Sequence, residues 1–164
     1  MIWIYYLIIP CVILVDQFVK QAVTARLQGA GGLRLHLVPG LFDIAYVENT
    51  GAAFSLLQGK RVFLILFTVL MIAALIVYIF LRRKSASPVV LTGLSLVAGG
   101  GLGNLIDRIR LGYVVDYLEF QPFSFPVFNL ADISVCTGCG LLLLYFAIAE
   151  FRARGGKTLD GPAA

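Results

Sequence analysis

Asp116, in Val-Val-Asp116-Tyr-Leu-Glu-Phe, and Asp132, in Phe-Asn129-Leu-Ala-Asp132, stand in loop-like sequence between apolar segments long enough to cross a membrane. A carboxylate beside a bilayer is costly to keep and usually has a task. Two carboxyls held close cannot both ionise cheaply, so they share a proton and titrate as a pair. One member then serves as a base that activates water, and the other as an acid that polarises a carbonyl. Such hydrolytic chemistry needs no cysteine, serine, metal or cofactor. The simpler alternative is that both carboxylates merely face water at a membrane surface. The placement of the other polar residues decides between the two.

Several side chains could support the pair. Asn129 lies three residues before Asp132 and could fix its carboxylate by hydrogen bonding. Asn104 and Asn49 offer donors and acceptors, and Arg108 could hold a substrate carbonyl or the chain's own loops. Asp16 and Lys20 are one helical turn apart and can pair; a structural ion pair explains them more simply than catalysis. Asp107, beside Arg108, belongs either to the site or to an interfacial anchor. Glu119 is expected to be solvated.

The elements that must position these residues follow from composition. The 164 residues are 60% hydrophobic and 13% charged, with a mean hydropathy of +0.93; soluble domains are nearer half apolar and a quarter charged. The excess sits in four runs, which predict transmembrane helices over about 3–20, 62–82, 89–107 and 133–151. A cleaved signal peptide is the alternative for the first run, but Asp16 interrupts it and no side-chain cation precedes it. Residues 1–154 are expected to form a single membrane-embedded domain, and 155–164 a disordered tail.

Basic residues cluster at Arg82-Arg83-Lys84 and again at Arg152, Arg154 and Lys157. Clusters at membrane exits place both termini in the cytoplasm by the positive-inside rule, although seven basic residues fall on the other side against these six. The net charge of +4 is not patterned for nucleic acid. With that orientation, Asp16 with Lys20, Asn49 with Gly51, Asn104 to Arg108, Asp116, and Asn129 with Asp132 all reach the outer, periplasmic face. Random surface polarity would spread over both faces.

Residues 30–54 hold Leu33-Arg-Leu-His-Leu, then Pro39-Gly40, then Phe42-Asp-Ile-Ala-Tyr-Val, an alternation broken by a turn that predicts a hairpin. The fold class is therefore all-α membrane protein with a small β-sheet on the outer face. The connection 108–132 contains Pro122 and Pro126 and reads as an extended aromatic loop. Cys136-Thr-Gly-Cys139 has redox spacing, but its membrane-helix setting favours packing, and three cysteines give no disulfide framework. His36 has no metal-ligand partners at usable spacing. Gly99-Gly100-Gly101-Leu-Gly103 lacks the features of a nucleotide loop and instead suits close helix approach.

Taken together, Asp16-Gln-Phe-Val-Lys20, Asn49-Thr-Gly-Ala-Ala-Phe54, Gly103-Asn-Leu-Ile-Asp-Arg108, Val-Val-Asp116-Tyr and Phe-Asn129-Leu-Ala-Asp132 resemble the motifs of bacterial lipoprotein signal peptidase (signal peptidase II). They occur in the family's order over residues 10–150. The resemblance implies an intramembrane aspartic endopeptidase that removes signal peptides from diacylglyceryl-modified prolipoproteins, cutting just before the lipidated cysteine. It implies Asp116 and Asp132 as the catalytic dyad. Asp16, Lys20, Asn49, Gly51, Asn104, Arg108, Asn129 and Ala131 are the implied supporting positions. It also implies a multi-pass inner-membrane location, with lipid-modified prolipoproteins and membrane lipid as partners; the expected state is a monomer. Tyr117-Leu-Glu119 departs conservatively from the family's frequent Phe and Asp.

Two rival classes make different demands. A proton or cation transporter would spread Asp16, Asp107, Asp116 and Asp132 through the depth of the bilayer. A non-catalytic assembly factor packing through the glycine-rich helix would tolerate Asp116→Asn.

Overall fold

Apolar runs of this length must satisfy their own backbone, because lipid offers no hydrogen-bond partner. In the computed structural model, which describes residues 3–52 and 56–157, they form four helices. These are α1 (Trp3–Leu27), α2 (Arg61–Arg82), α3 (Pro88–Arg110) and α4 (Leu130–Lys157), each with a stretch long and apolar enough to cross a membrane. An antiparallel sheet of β1 (Leu35–Val38), β2 (Phe42–Asn49) and β3 (Val114–Phe120) completes the architecture, in the order β1-β2-β3. The four-helix membrane fold with a small sheet is the class that the sequence predicts.

The third helix is the hub. Of its apolar stretch 56% is buried, against 17% in each of the other three. Its glycines explain why. A Cβ on Gly100 would collide with the Ala131 carbonyl of α4, and one on Gly103 would lie 2.6 Å from Asp16 Oδ2 of α1. Without side chains at these places, α1 and α4 close directly onto α3. Gly93 of α3 and Gly138 of α4 meet in the same way. Thus Gly138, within the Cys136-Thr-Gly-Cys139 string, carries the packing, while both cysteines are exposed and free.

Helix ends differ from expectation in ways that matter. The first helix runs past Lys20 to Leu27, because Val23 and Leu27 bury themselves against Tyr117 of β3. Those extra turns seat the sheet on the bundle. The fourth helix begins at Leu130 rather than 133 and reaches Lys157, three residues into the expected tail. Residues 158–164 of that tail lie outside the described residues.

The hairpin forms as predicted, with Pro39-Gly40 in the turn, Gly40 at φ 74°, and the Leu41 N–H donating to the Val38 carbonyl at 2.9 Å. The expectation that 108–132 is a loop needs correction. Val114–Phe120 is a strand paired along β2, with Val47 opposite Asp116 and Asn49 opposite Val114. Its first four residues are buried without alternation, so the period-2 signal of a half-exposed strand is missing. Beyond it, Phe120, Phe123, Phe125 and Phe128 pack ring to ring at 4.8–6.3 Å, folding the two-proline segment back on the sheet.

Candidate functional site

Asp16 and Lys20, one turn apart on α1, are 0% and 2% exposed. Burial of unpaired charge is prohibitive, and here every charge is met. Lys20 Nζ lies 2.9 Å from Asp16 Oδ2 and 2.9 Å from Asp107 Oδ2 of α3. It also donates to Asn104 Oδ1 at 2.9 Å. Gln17 adds a donor to Asp107 Oδ1 at 2.9 Å and another to the Gly103 carbonyl at 3.2 Å. The remaining Asp107 lone pairs accept from the Val115 N–H of β3. This network locks α1, α3 and β3 together.

The Lys20 contact has a directional consequence. With its Oδ1 facing a cation, the Asn104 amide must present Nδ2 the other way, and that group donates to Asp132 Oδ1 at 2.8 Å. Asp132 sits in the first turn of α4, where helix N–H groups lack partners within the helix. Each is satisfied locally. The Leu130 N–H donates to the Tyr117 hydroxyl, and the Ala131 N–H to Asp16 Oδ1 at 3.0 Å. The Asp132 N–H donates to Asn129 Oδ1 at 2.9 Å, and Asp132 Oδ2 accepts from the Asn129 N–H at 3.1 Å. That reciprocal pair is a capping box, so Asn129 steadies Asp132 through its backbone N–H and its own Oδ1.

The amide nitrogen of Asn129 goes elsewhere. It donates to Asp116 Oδ1 at 2.7 Å and to Asn104 Oδ1 at 3.1 Å. The second Asp116 oxygen accepts from Asn49 Nδ2 at 2.8 Å, and Asn49 Oδ1 accepts from the Gly51 N–H at 2.9 Å. Arg108 Nη2 then holds the Gly51 carbonyl at 2.8 Å. Asp116 is 3% exposed, and Asp132 is partly exposed.

Electrostatically the cluster holds four carboxyls, Asp16, Asp107, Asp116 and Asp132, against two cations, Lys20 and Arg108. Burial pushes the Asp116 carboxyl up to about 6, and the neighbouring Asp132 charge adds to the rise. The amides of Asn49 and Asn129 and the Lys20 charge pull the other way. Burial also raises the Tyr117 phenol to about 12, so it remains a neutral hydroxyl. The arrangement holds two carboxyls in fixed orientation, one of them keeping its proton up to about pH 6. That is the condition for paired acid–base chemistry.

All eleven candidate residues converge here, from α1, β2, the segment after β2, α3, β3, and the N-cap and first turn of α4. Glu119 lies apart, paired with Arg34 at 2.5 Å on the sheet. His36 pairs with Asp43 at 2.8 Å. Two contributors escaped the sequence reading. Gln17 could have been found as the second polar residue interrupting an apolar run, and Tyr117 as a phenol beside a buried carboxylate that must hydrogen-bond if buried.

Comparison with known proteins gives a consistent result. A family profile described as Signal peptidase (SPase) II matches residues 8–148. The chain is 46% identical over 140 residues to the lipoprotein signal peptidase of Halothermothrix orenii, covering 85% of this chain and 92% of that one. It is 36% identical over 155 residues to the lipoprotein signal peptidase of Enterococcus faecalis, covering 94% of each. Its fold superimposes with a TM-score of 0.78 on a bacterial membrane enzyme solved by the in meso method at 2.3 Å. That pair is 29% identical, over 98% of this chain and 94% of the other.

Proposed function

Because the chain belongs to the signal peptidase II family, aspartic proteases that remove signal peptides from lipoproteins, we propose that Asp116 and Asp132 are its catalytic pair. The observation that carries this reading is the hydrogen-bond chain Asn49–Asp116–Asn129–Asn104–Asp132, which fixes both carboxyls from separate elements. Asp132, at the positive end of the α4 dipole, is placed to act as the base, and burial, which raises the Asp116 carboxyl, suits Asp116 to the acid role.

Asp132 takes a proton from a water placed between the pair as that water attacks the scissile carbonyl carbon. Asp116 donates a hydrogen bond, then its proton, to the carbonyl oxygen. The tetrahedral intermediate collapses as Asp132 returns its proton to the departing amine nitrogen, and the gem-diol proton goes back to Asp116. Both carboxyls end as they began. Arg108 Nε is buried without an acceptor among the described residues and is the donor we assign to a second substrate carbonyl.

The bond cut lies just before a diacylglyceryl-modified cysteine. A substrate that is itself an apolar helix, lipidated near its end, meets a dyad at membrane-surface height without being drawn into water. The protein is a multi-pass inner-membrane enzyme. In our reading the sheet and dyad face the periplasm, both termini are cytoplasmic, and one monomer forms a single peptidase domain over 1–154. A transporter would need its carboxylates in a file across the bilayer; these meet at one end of the bundle.

The test is cleavage of a diacylglyceryl-modified prolipoprotein by folded wild type, Asp116→Asn and Asp132→Asn. Both variants should lose roughly 10³-fold or more of the rate. A folded variant that cleaves at the wild-type rate would remove that aspartate from the mechanism.

A further inference from the structure

In the half of the bundle remote from the dyad, from mid-helix onward, α2 and α4 both lean on α3, and an apolar groove of about 300 Å³ remains between them. It is lined by Met71, Ala74 and Tyr78 of α2, Leu94 of α3, and Leu142 and Phe146 of α4. On α2 the lining residues follow helical spacing, and the next position on that stripe is Arg82, one turn beyond Tyr78. Arg82 opens the turn Arg82-Arg83-Lys84, which joins α2 to α3. Arg82 and Lys84 are exposed and make no ion pair among the described residues. Arg83 leans back on its own helix, over the Phe80 ring and onto the Phe80 carbonyl. Across the groove Glu150 is neutralised by Arg154 at 2.7 Å, and Arg152 makes no ion pair among the described residues. An apolar slot thus leads, along the α2 stripe, toward Arg82 and Lys84, cations with no acidic partner among the described residues.

We infer that this groove holds an acyl chain of an anionic phospholipid whose phosphate is bound by Arg82, at the membrane surface opposite the Asp116–Asp132 pair. Charge selects this occupant. A signal peptide carries a cationic n-region, which Arg82 and Lys84 would repel. A second copy packed side by side would set the same basic turn against itself. A phosphate at the interface satisfies Arg82 by a charge-assisted hydrogen bond, and juxtamembrane basic residues are the usual contact for anionic lipid. Tyr78, one turn before Arg82, offers the kind of amphipathic ring enriched at membrane interfaces. The site is separate from the substrate's, so it survives or fails independently of the dyad assignment.

The experiment is native mass spectrometry of the full chain in detergent with equimolar dioleoyl phosphatidylglycerol and dioleoyl phosphatidylcholine, two lipids with the same chains and different heads. Wild type should retain one phosphatidylglycerol in roughly fivefold excess over phosphatidylcholine. Arg82→Gln should bring the ratio to about one, and Ala74→Trp, which fills the groove, should abolish the retained adduct. Lys60→Gln, at the other membrane surface, should leave the wild-type pattern. Arg82→Gln alters only the surface and decides the matter alone should the bulkier side chain disturb folding. Equal retention of both lipids by wild type, or an unchanged preference in Arg82→Gln, would overturn the inference. So would a dimer that Ala74→Trp dissociates, or slowed prolipoprotein cleavage by Ala74→Trp with lipid retention intact, which would assign the groove to a second copy or to the substrate's helix.

Discussion

Asn129 and Asp132 cap each other across the first turn of α4, each accepting the other's backbone N–H, at 2.9 and 3.1 Å. The same Asn129 spends its amide on Asp116 at 2.7 Å. One side chain therefore starts the helix that carries one member of the pair and orients the other. These two duties can be separated. Serine caps helices about as well as asparagine but is too short to reach Asp116. Asn129→Ser should cost little stability and slow cleavage roughly 2–10-fold, the value of a hydrogen bond to an uncharged group. Equal loss of melting temperature and activity would show that only the cap matters.

The pH profile reports on Asp116. With the acid form at Asp116 required, cleavage falls as that group loses its proton, so the descending limb of kcat/KM for the free enzyme lies near its value of about 6. Asn49 donates to Asp116 Oδ2, a bond that favours the ionised form and lowers that value. Asn49→Ala should therefore move the descending limb to higher pH, whatever happens to its height. A limb that moves down, or stays put, would separate Asp116 from the proton that the reaction uses.

Tyr117 accepts the Leu130 N–H with its hydroxyl at 3.2 Å and is 3% exposed. Phenylalanine would keep the packing against Val23 and Leu27 but strand that donor at a buried helix start. The expected cost is about 1–3 kcal/mol, read as lower thermal stability. A variant as stable as wild type would mean that another group satisfies the Leu130 N–H.

Glycine positions on α3 and α4 should respond unequally to the same added methyl. Gly103→Ala puts a Cβ 2.6 Å from Asp16 Oδ2, whereas Gly140→Ala meets nothing within 4 Å. The first should destabilise by about 1–3 kcal/mol through overpacking and disturb the Asp16–Lys20 pair. The second should be neutral or gain up to about 1 kcal/mol from helix propensity. Paired melting curves in one detergent test the contrast, and similar shifts in both would remove the close-approach argument.

The chain's linear order determined a good deal. Four apolar runs of bilayer length have no alternative to helix in lipid, so helix number and rough position were legible, as was the hairpin around Pro39-Gly40. The polar strings that interrupt or border those runs were also visible, because a charge beside hydrocarbon stands out. What the sequence could not show was partnership. That Lys20 sets the Asn104 amide, that Asn104 then serves Asp132, and that Tyr117 caps α4 all depend on residues far apart in sequence meeting after the helices pack. The strand bearing Asp116 was hidden for a related reason: burial of both its faces erases alternation, and only its pairing with β2 defines it. Periodicity records which residues leave water, and it is blind to which of them then meet. The close approach permitted by Gly100 and Gly103 decides that, and with it the geometry of the two aspartates.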